Sequence, residues 1–147
     1  MWYNLHMKRI LLYALLVAPL TSFAHTGIKS HVCLLESICK VESNCDSSAI
    51  GDNGNAIGAY QIWKDYWHDA CTFRDNDDLE LSDGYESCYD KGYSKKVVIA
   101  YWNRYATMKR LGRTPTDEDR ARIHNGGPNG YKKDSTLKYW KKVQNEM

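Results

Sequence analysis

Between Leu34 and Cys45 apolar side chains return every three or four residues. On a wheel of about 100° per residue, Leu34, Leu35, Ile38, Val41 and Cys45 form one stripe, while Glu36, Lys40 and Ser43 project away. The pattern predicts a helix with one buried face, and Glu42 falls inside that face. Ile62, Trp63, Tyr66 and Trp67 have i, i+4 spacing and predict a second, short helix. A longer one is expected from Tyr93 to Leu111, with Val97, Val98, Tyr101, Tyr105 and Met108 on one side. After Pro115, Thr116-x-x-Asp119 reads as a capping-box start for a helix through Ile123, which Asn125-Gly126-Gly127-Pro128 stops. Ser135 opens an amphipathic tail carrying Leu137, Trp140 and Val143. Only Ile50 to Tyr60, rich in glycine and bearing the Asn53-Gly54 turn signal, suggests a small hairpin. The fold class expected is α+β, mainly helical, with one domain built around that β element.

The first 24 residues read differently. Lys8 and Arg9 form a positive start, Ile10 to Leu20 an apolar run, and Ser22-Phe23-Ala24 a small-residue cleavage site, so residues 1–24 are expected to be a secretory signal peptide. The apolar run is shorter than the roughly 20 residues a membrane-spanning helix needs. The expectation is a secreted protein with a single domain over residues 25–147 and no membrane association after cleavage.

Charge divides that domain in two. Residues 25–90 hold 4 basic and 13 acidic side chains, and residues 91–147 hold 14 basic and 5 acidic. The two excesses cancel. Without a strong overall basic excess, nucleic acid is not an expected ligand. Either both surfaces are simply solvated, or a cleft has one acidic and one basic wall.

Candidate chemistry rests on two carboxylates in opposite surroundings. Glu42 lies among apolar side chains, where desolvation favours the neutral form and lets it donate a proton near neutral pH. Asp52 lies in Gly51-Asp52-Asn53-Gly54-Asn55, a polar turn where a carboxylate stays hydrated and ionised. One acid held protonated and one held charged is the pairing glycoside hydrolysis uses. The first protonates the leaving oxygen, and the second attacks the anomeric carbon or stabilises its charge. Neither Cys-His nucleophile spacing, nor a phosphate loop, nor metal-ligand spacing is visible, so no metal or cofactor is expected.

The residues around these carboxylates carry a resemblance. Ile38-Cys-Lys-Val-Glu-Ser-Asn-Cys45, Asp52-x-Gly54, Tyr60-Gln61-Ile62 with Tyr66-Trp67, Ile123-His-Asn-Gly-Gly-Pro-Asn-Gly130 and Ser135-Thr-Leu-x-Tyr-Trp140 look like the blocks of the invertebrate-type lysozymes, or destabilases, in the family's order. The resemblance implies a lysozyme-like domain. It also implies a muramidase that hydrolyses the β-1,4 bond between N-acetylmuramic acid and N-acetylglucosamine of bacterial peptidoglycan. By position, Glu42 would be the proton donor and Asp52 the nucleophile of a retaining reaction. Two departures are visible. The chain has only five cysteines where the family is usually richer, and Asn55 stands where many members have the Ser proposed for isopeptide cleavage.

The cysteines of an exported chain read as disulfides rather than a metal site. Cys39 and Cys45 pair by the resemblance. A continuous helix would hold them about 9 Å apart along its axis, too far for a bridge, so the helix must end near Ser43 or Asn44. Cys71 and Cys88 are then paired by elimination, and Cys33 remains for a disulfide-linked dimer or a small thiol; the competing pattern pairs Cys33 with Cys71 or Cys88 and leaves the other free. Tyr60, Tyr66, Trp67, Tyr101 and Tyr105 are candidates to line a sugar groove or to sit in the core. Gln61, His124, Asn125 and Gly126 complete the expected substrate contacts. Two other readings stay open. One is a lytic transglycosylase, which Glu42-Ser43 with Gly58-x-x-Gln61 also resembles and which needs one carboxyl alone. The other is a catalytically silent peptidoglycan-binding defence protein.

Overall fold

A computed structural model describes residues 23–73, 79–80 and 83–147, with side chains placed from residue 31 onward. The signal segment expected over residues 1–24 lies outside the described residues apart from Phe23 and Ala24, and part of the acidic stretch from Asp75 to Glu86 does as well. Helix α1 runs Phe23–Ser43 and ends where a Cys39–Cys45 bridge requires. Asn44 and Cys45 take left-handed backbone (φ 57° and 61°), which turns the chain back on itself. The two cysteine Cα atoms then stand 4.8 Å apart and their sulfurs are joined.

The hairpin expected over Ile50 to Tyr60 is present and gains a third strand. β1 (Ile50–Gly51), β2 (Ala56–Ile57) and β3 (Ile62–Trp63) form an antiparallel sheet in sequence order, with Ile50, Ile57 and Ile62 in one row and Gly51, Ala56 and Trp63 in the next. Ile57 and Ile62 face the core, at 5% and 0% exposure, whereas Ile50 at the edge is exposed. Gly58 (φ 74°) allows the sheet to close on the 3-10 turn Tyr85–Tyr89. A β-carbon there would lie 2.1 Å from the Cys88 carbonyl oxygen, so the position is confined to glycine.

Helix α2 (Lys64–Cys71) begins after β3, so Ile62 and Trp63 are strand residues rather than the first turn of a helix. The i, i+4 pattern was ambiguous there, because a two-residue strand followed directly by a helix leaves the same apolar spacing. The long helix expected to Leu111 is interrupted. α3 spans Lys91–Tyr105, Ala106 leaves helical geometry, and Thr107 caps a separate α4 (Met108–Leu111) through its hydroxyl. α5 (Asp117–Gly126) carries the full capping box, and α6 (Leu137–Asn145) follows a 3-10 turn at Asp134–Thr136.

The core gathers Leu34, Leu35 and Ile38 of α1, Val97, Val98 and Tyr101 of α3, Ile123 of α5 and Val143 of α6. Polar groups inside it are satisfied: Trp102 donates its indole N–H to the Arg120 carbonyl at 3.0 Å, and Trp67 donates to the Tyr93 hydroxyl at 3.0 Å. The expected Cys71–Cys88 bridge is not formed. Cys88 is fully buried in the 85–89 turn, and the Cys71 sulfur lies 3.9 Å from the Tyr93 hydroxyl instead. Burial pushes both thiols upward, Cys88 to about 12, which keeps them protonated and poorly reactive. Cys33 is exposed and directs its thiol toward the Met147 carbonyl at 3.6 Å.

The α5 cap is the strongest local anchor. Asp119, 3% exposed, accepts from the Thr116 backbone and hydroxyl and from both terminal nitrogens of Arg113, at 2.6–2.9 Å. Burial alone would raise its carboxyl, but the hydrogen bonds of Arg113 and Thr116 outweigh that and hold it below the ordinary aspartate value. Arg113 is mostly exposed, so the ion pair itself adds little and the cap dominates. Asp119→Ala should cost ~2–3 kcal/mol, seen as a fall of roughly 10 °C in the melting midpoint. Because the folded value is depressed, this contribution is complete above the unfolded aspartate pKa and fades as pH falls through the folded one. The stability gap between wild type and variant should therefore narrow on acidification. A gap that stays constant down to about pH 2 would show that Asp119 does not act as a buried carboxylate.

Candidate active site

Glu42 lies one residue before the end of α1, and three structural ties set its position. The Cys39–Cys45 bridge closes the turn behind it. Ser43 donates its hydroxyl to the Ala59 carbonyl at 2.9 Å, which fastens the helix end to the segment after β2. The third tie is the carboxyl group itself. Its Oε1 accepts a 2.7 Å hydrogen bond from the Tyr139 hydroxyl of α6, and His124 Nε2 of α5 lies 3.4 Å from the same oxygen. The side chain is 18% exposed, against 4% for His124. The apolar stripe seen in the sequence is therefore one wall of the site, and two polar groups from distant helices make another.

His124 is held from behind, its Nδ1 lying 3.1 Å from the Tyr66 hydroxyl of α2. Burial, and then the nearby Tyr101 and Glu42, push the Tyr66 phenol well above its ordinary value; burial and Glu42 do the same to Tyr139. Both phenols stay protonated in any ordinary buffer and can act as donors. The ring thus stands between the Tyr66 hydroxyl on its Nδ1 side and the Glu42 carboxyl on its Nε2 side. Tyr66 is itself stacked on Tyr101, with ring centroids 3.6 Å apart, and Tyr101 leans on Tyr105, whose hydroxyl donates to Asp69 at 2.6 Å.

Asp52 has the reverse setting. It sits in the exposed 3-10 turn Asp52–Gly54 that joins β1 to β2, with left-handed backbone at Asp52 and Asn53 (φ 47° and 57°), which Asp and Asn tolerate best among residues with a β-carbon. Asn55 stitches that turn, donating its backbone N–H and its amide to the Asp52 carbonyl at 3.2 and 2.8 Å. Among the described residues, the carboxylate itself accepts one hydrogen bond, from the Trp63 indole N–H to Oδ2 at 3.2 Å. One carboxyl is enclosed by buried donors and the other is wet.

The structure brings Glu42, His124 and Tyr66 together as one network. It gives the other sequence candidates different places. Trp67 and Tyr101 are 6% and 4% exposed and belong to the core that carries the network. Gln61 donates its amide to the Gly58 carbonyl at 3.0 Å, which closes the β2–β3 turn. Gly126 packs against Thr136, and its carbonyl accepts from Lys133 at 2.6 Å, while Asn125 is exposed beside it. Two contacts escaped the sequence reading. Tyr139 lies in the Ser135–Trp140 block four residues before the fully buried Val143, a spacing that already placed it on the inner face of α6. Trp63, expected in a short helix, lies in β3 and reaches Asp52. Among the described residues Glu36, Cys39 and Cys45 bring ligand atoms within 4.8 Å of one another, but the disulfide consumes both thiols.

Comparison with known proteins places the fold in a family. Residues 30–146 match the Destabilase family. A lysozyme of Ostrea edulis is 35% identical over 144 residues, covering 95% of this chain and 96% of that one. An invertebrate-type lysozyme of Ruditapes philippinarum is 40% identical over 124 residues, covering 80% and 82%. The crystal structure of inhibitor-bound lysozyme from Meretrix lusoria superposes with a TM-score of 0.61 at 34% identity, covering 77% of this chain and 87% of that chain. These findings define the class, a glycoside hydrolase with a lysozyme-like α+β fold. Within it, the chain belongs to the destabilase family of invertebrate-type lysozymes.

Tyr139→Phe keeps the ring and removes the donor to Glu42. If Glu42 becomes a carboxylate as it gives up its proton, the bond to that charged group contributes about 1.5–3 kcal/mol, so glycoside hydrolysis should slow by about tenfold or more. The melting midpoint should move by only a few degrees. An unchanged rate in the folded variant would show that the bond to Oε1 has no part in the reaction.

Proposed function

We propose that this chain is a secreted muramidase that hydrolyses the β-1,4 bond between N-acetylmuramic acid and N-acetylglucosamine of bacterial peptidoglycan, with Glu42 as general acid and Asp52 as nucleophile. The observation that carries the reading is the one-sided hold on Glu42. Tyr139 and His124 both address Oε1. Oε2 is then the oxygen that holds the proton and passes it to the glycosidic oxygen as the bond breaks. Asp52, hydrated and ionised in its turn, attacks the anomeric carbon from the opposite side and forms a glycosyl-enzyme ester. Glu42, now a carboxylate, activates the water that cleaves that ester and recovers its proton. The relatives named above are lysozymes, which is why peptidoglycan is the substrate proposed. Secretion rests on the signal-like residues 1–24 together with the Cys39–Cys45 disulfide, a bond of oxidising compartments. No described helix is long and apolar enough to cross a membrane.

Around the carboxyls, Asn125 and the edge of Tyr66 are the contacts proposed for the sugar's acetamido and hydroxyl groups. Gln61, Trp67, Tyr101 and Gly126 act by supporting that wall. The basic excess of residues 91–147 supplies attraction to an anionic cell wall.

Glu42→Gln preserves shape and removes the proton. General acid catalysis contributes roughly 10²–10⁴-fold, so lysis of purified peptidoglycan should fall at least a hundredfold while the protein still binds it. Wild-type protein should release free reducing ends. 1,6-Anhydro ends would instead identify a lytic transglycosylase using Glu42 alone, and no released ends would identify a silent binding protein. A Glu42→Gln variant with a third of wild-type activity would remove Glu42 from the role of acid.

A further inference from the structure

Trp63 differs from the described tryptophans buried in the core. Trp67 and Trp102 are 6% and 4% exposed, whereas Trp63, at the end of β3, is 48% exposed. Its place in the sheet explains how a large ring is held there. Across the three strands, Trp63 of β3 is paired with Ala56 of β2, and Ala56 with Gly51 of β1. Ala56 is small enough for the indole to lie beside it on that face, while the space over Gly51 is taken by the Gln61 side chain. The indole N–H reaches Asp52, the residue that follows β1, at 3.2 Å, and Ala56 is left 1% exposed.

Indole has one polar atom, and that atom is committed to Asp52. The remainder of the exposed ring is flat and apolar, beside the carboxylate proposed to attack the sugar. The C–H faces of a pyranose match such a surface, and an apolar ring with a polar handle suits a site where one end is wet. The donor also carries no charge and does not titrate, so it restrains Oδ2 without altering protonation during the reaction. Rotation of Asp52 about its side-chain bonds is otherwise restrained by no second hydrogen bond that the carboxylate accepts from the described residues.

We propose that Trp63 has two separable roles at this site. It is a positioning residue that orients Asp52 through its N–H, and it is a sugar contact whose open face stacks on the N-acetylhexosamine ring next to the bond being cut. The inference rests on the muramidase reading given above and adds a specificity-determining aromatic residue to it.

The test uses the mature chain and a soluble tetrasaccharide of alternating N-acetylglucosamine and N-acetylmuramic acid. Trp63→Phe retains a ring and loses the donor. Its kcat should fall about tenfold, with KM within twofold of wild type. Trp63→Ala loses both, so it should show the same loss of kcat and a KM raised fivefold or more. Calorimetric binding of the same tetrasaccharide in a Glu42→Gln background supplies the equilibrium version, with Kd raised at least fivefold by Trp63→Ala and unchanged within twofold by Trp63→Phe. A purely structural role would lower kcat and leave this split absent. Wild-type kcat in Trp63→Phe overturns the positioning role, and wild-type KM and Kd in Trp63→Ala overturn the sugar contact. Asp52→Asn is the control for the underlying reading: if it turns over the tetrasaccharide at the wild-type rate, Asp52 is not the nucleophile, and the binding arm still decides the stacking.

Discussion

Three helices meet on a single carboxylate oxygen. Glu42 enters from α1, Tyr139 from α6 and His124 from α5, and the last two both address Oε1. A half-buried carboxyl is costly unless it is paired, and this one is paired with groups that are themselves fixed by burial. The cap on α5 therefore matters to the site, since the helix that presents His124 is started by the Thr116–Asp119 box eight residues earlier. The C-terminal helix matters for the same reason, although it stands 97 residues from Glu42 in the chain. What looks like a catalytic residue at the end of one helix is the point where the packing of three is checked.

The second carboxylate depends on the opposite physics. Asp52 sits on an exposed turn whose backbone is left-handed at two successive non-glycine residues, a conformation held by the Asn55 amide and the short strands on either side. Exposed on that turn, Asp52 is solvated, whereas Glu42 is held against buried phenols. The Ser43–Ala59 hydrogen bond and the Cys39–Cys45 bridge couple the two parts, because together they fix the end of α1 against the sheet that carries Asp52. The division of labour proposed for the two carboxyls, proton donor and charged nucleophile, would follow from where each is solvated rather than from its chemistry.

Much of this was legible in the sequence because it was local. The bridge that the resemblance implied located the end of α1, the Thr116-x-x-Asp119 pattern located a cap, and the glycine-rich segment located the hairpin. What could not be read depended on contacts between distant segments. Tyr139 meets Glu42 through tertiary packing, and no pattern in α6 alone names its partner. Ala106 breaks an apolar periodicity that continues smoothly through it, since Thr107 offers its hydroxyl to the backbone of Arg110 and starts a new turn. Trp63 shares helical spacing with Trp67 but belongs to a strand. Pairing Cys71 with Cys88 rested on arithmetic, and arithmetic does not see that the Cys71 thiol faces the Tyr93 hydroxyl. Membership of the destabilase family, by contrast, was carried by ordered blocks of residues and agreed with the fold.

The central claim is that Glu42 and Asp52 act as a retaining pair, which requires their carboxyl groups to come within about 5–5.5 Å in the working site. Proton NMR of the first product formed from peptidoglycan fragments tests it most directly, read before the sugar mutarotates. Double displacement through Asp52 yields the β-anomer first. An α-anomer as the initial product would mean that water attacks directly, and would contradict the role assigned to Asp52.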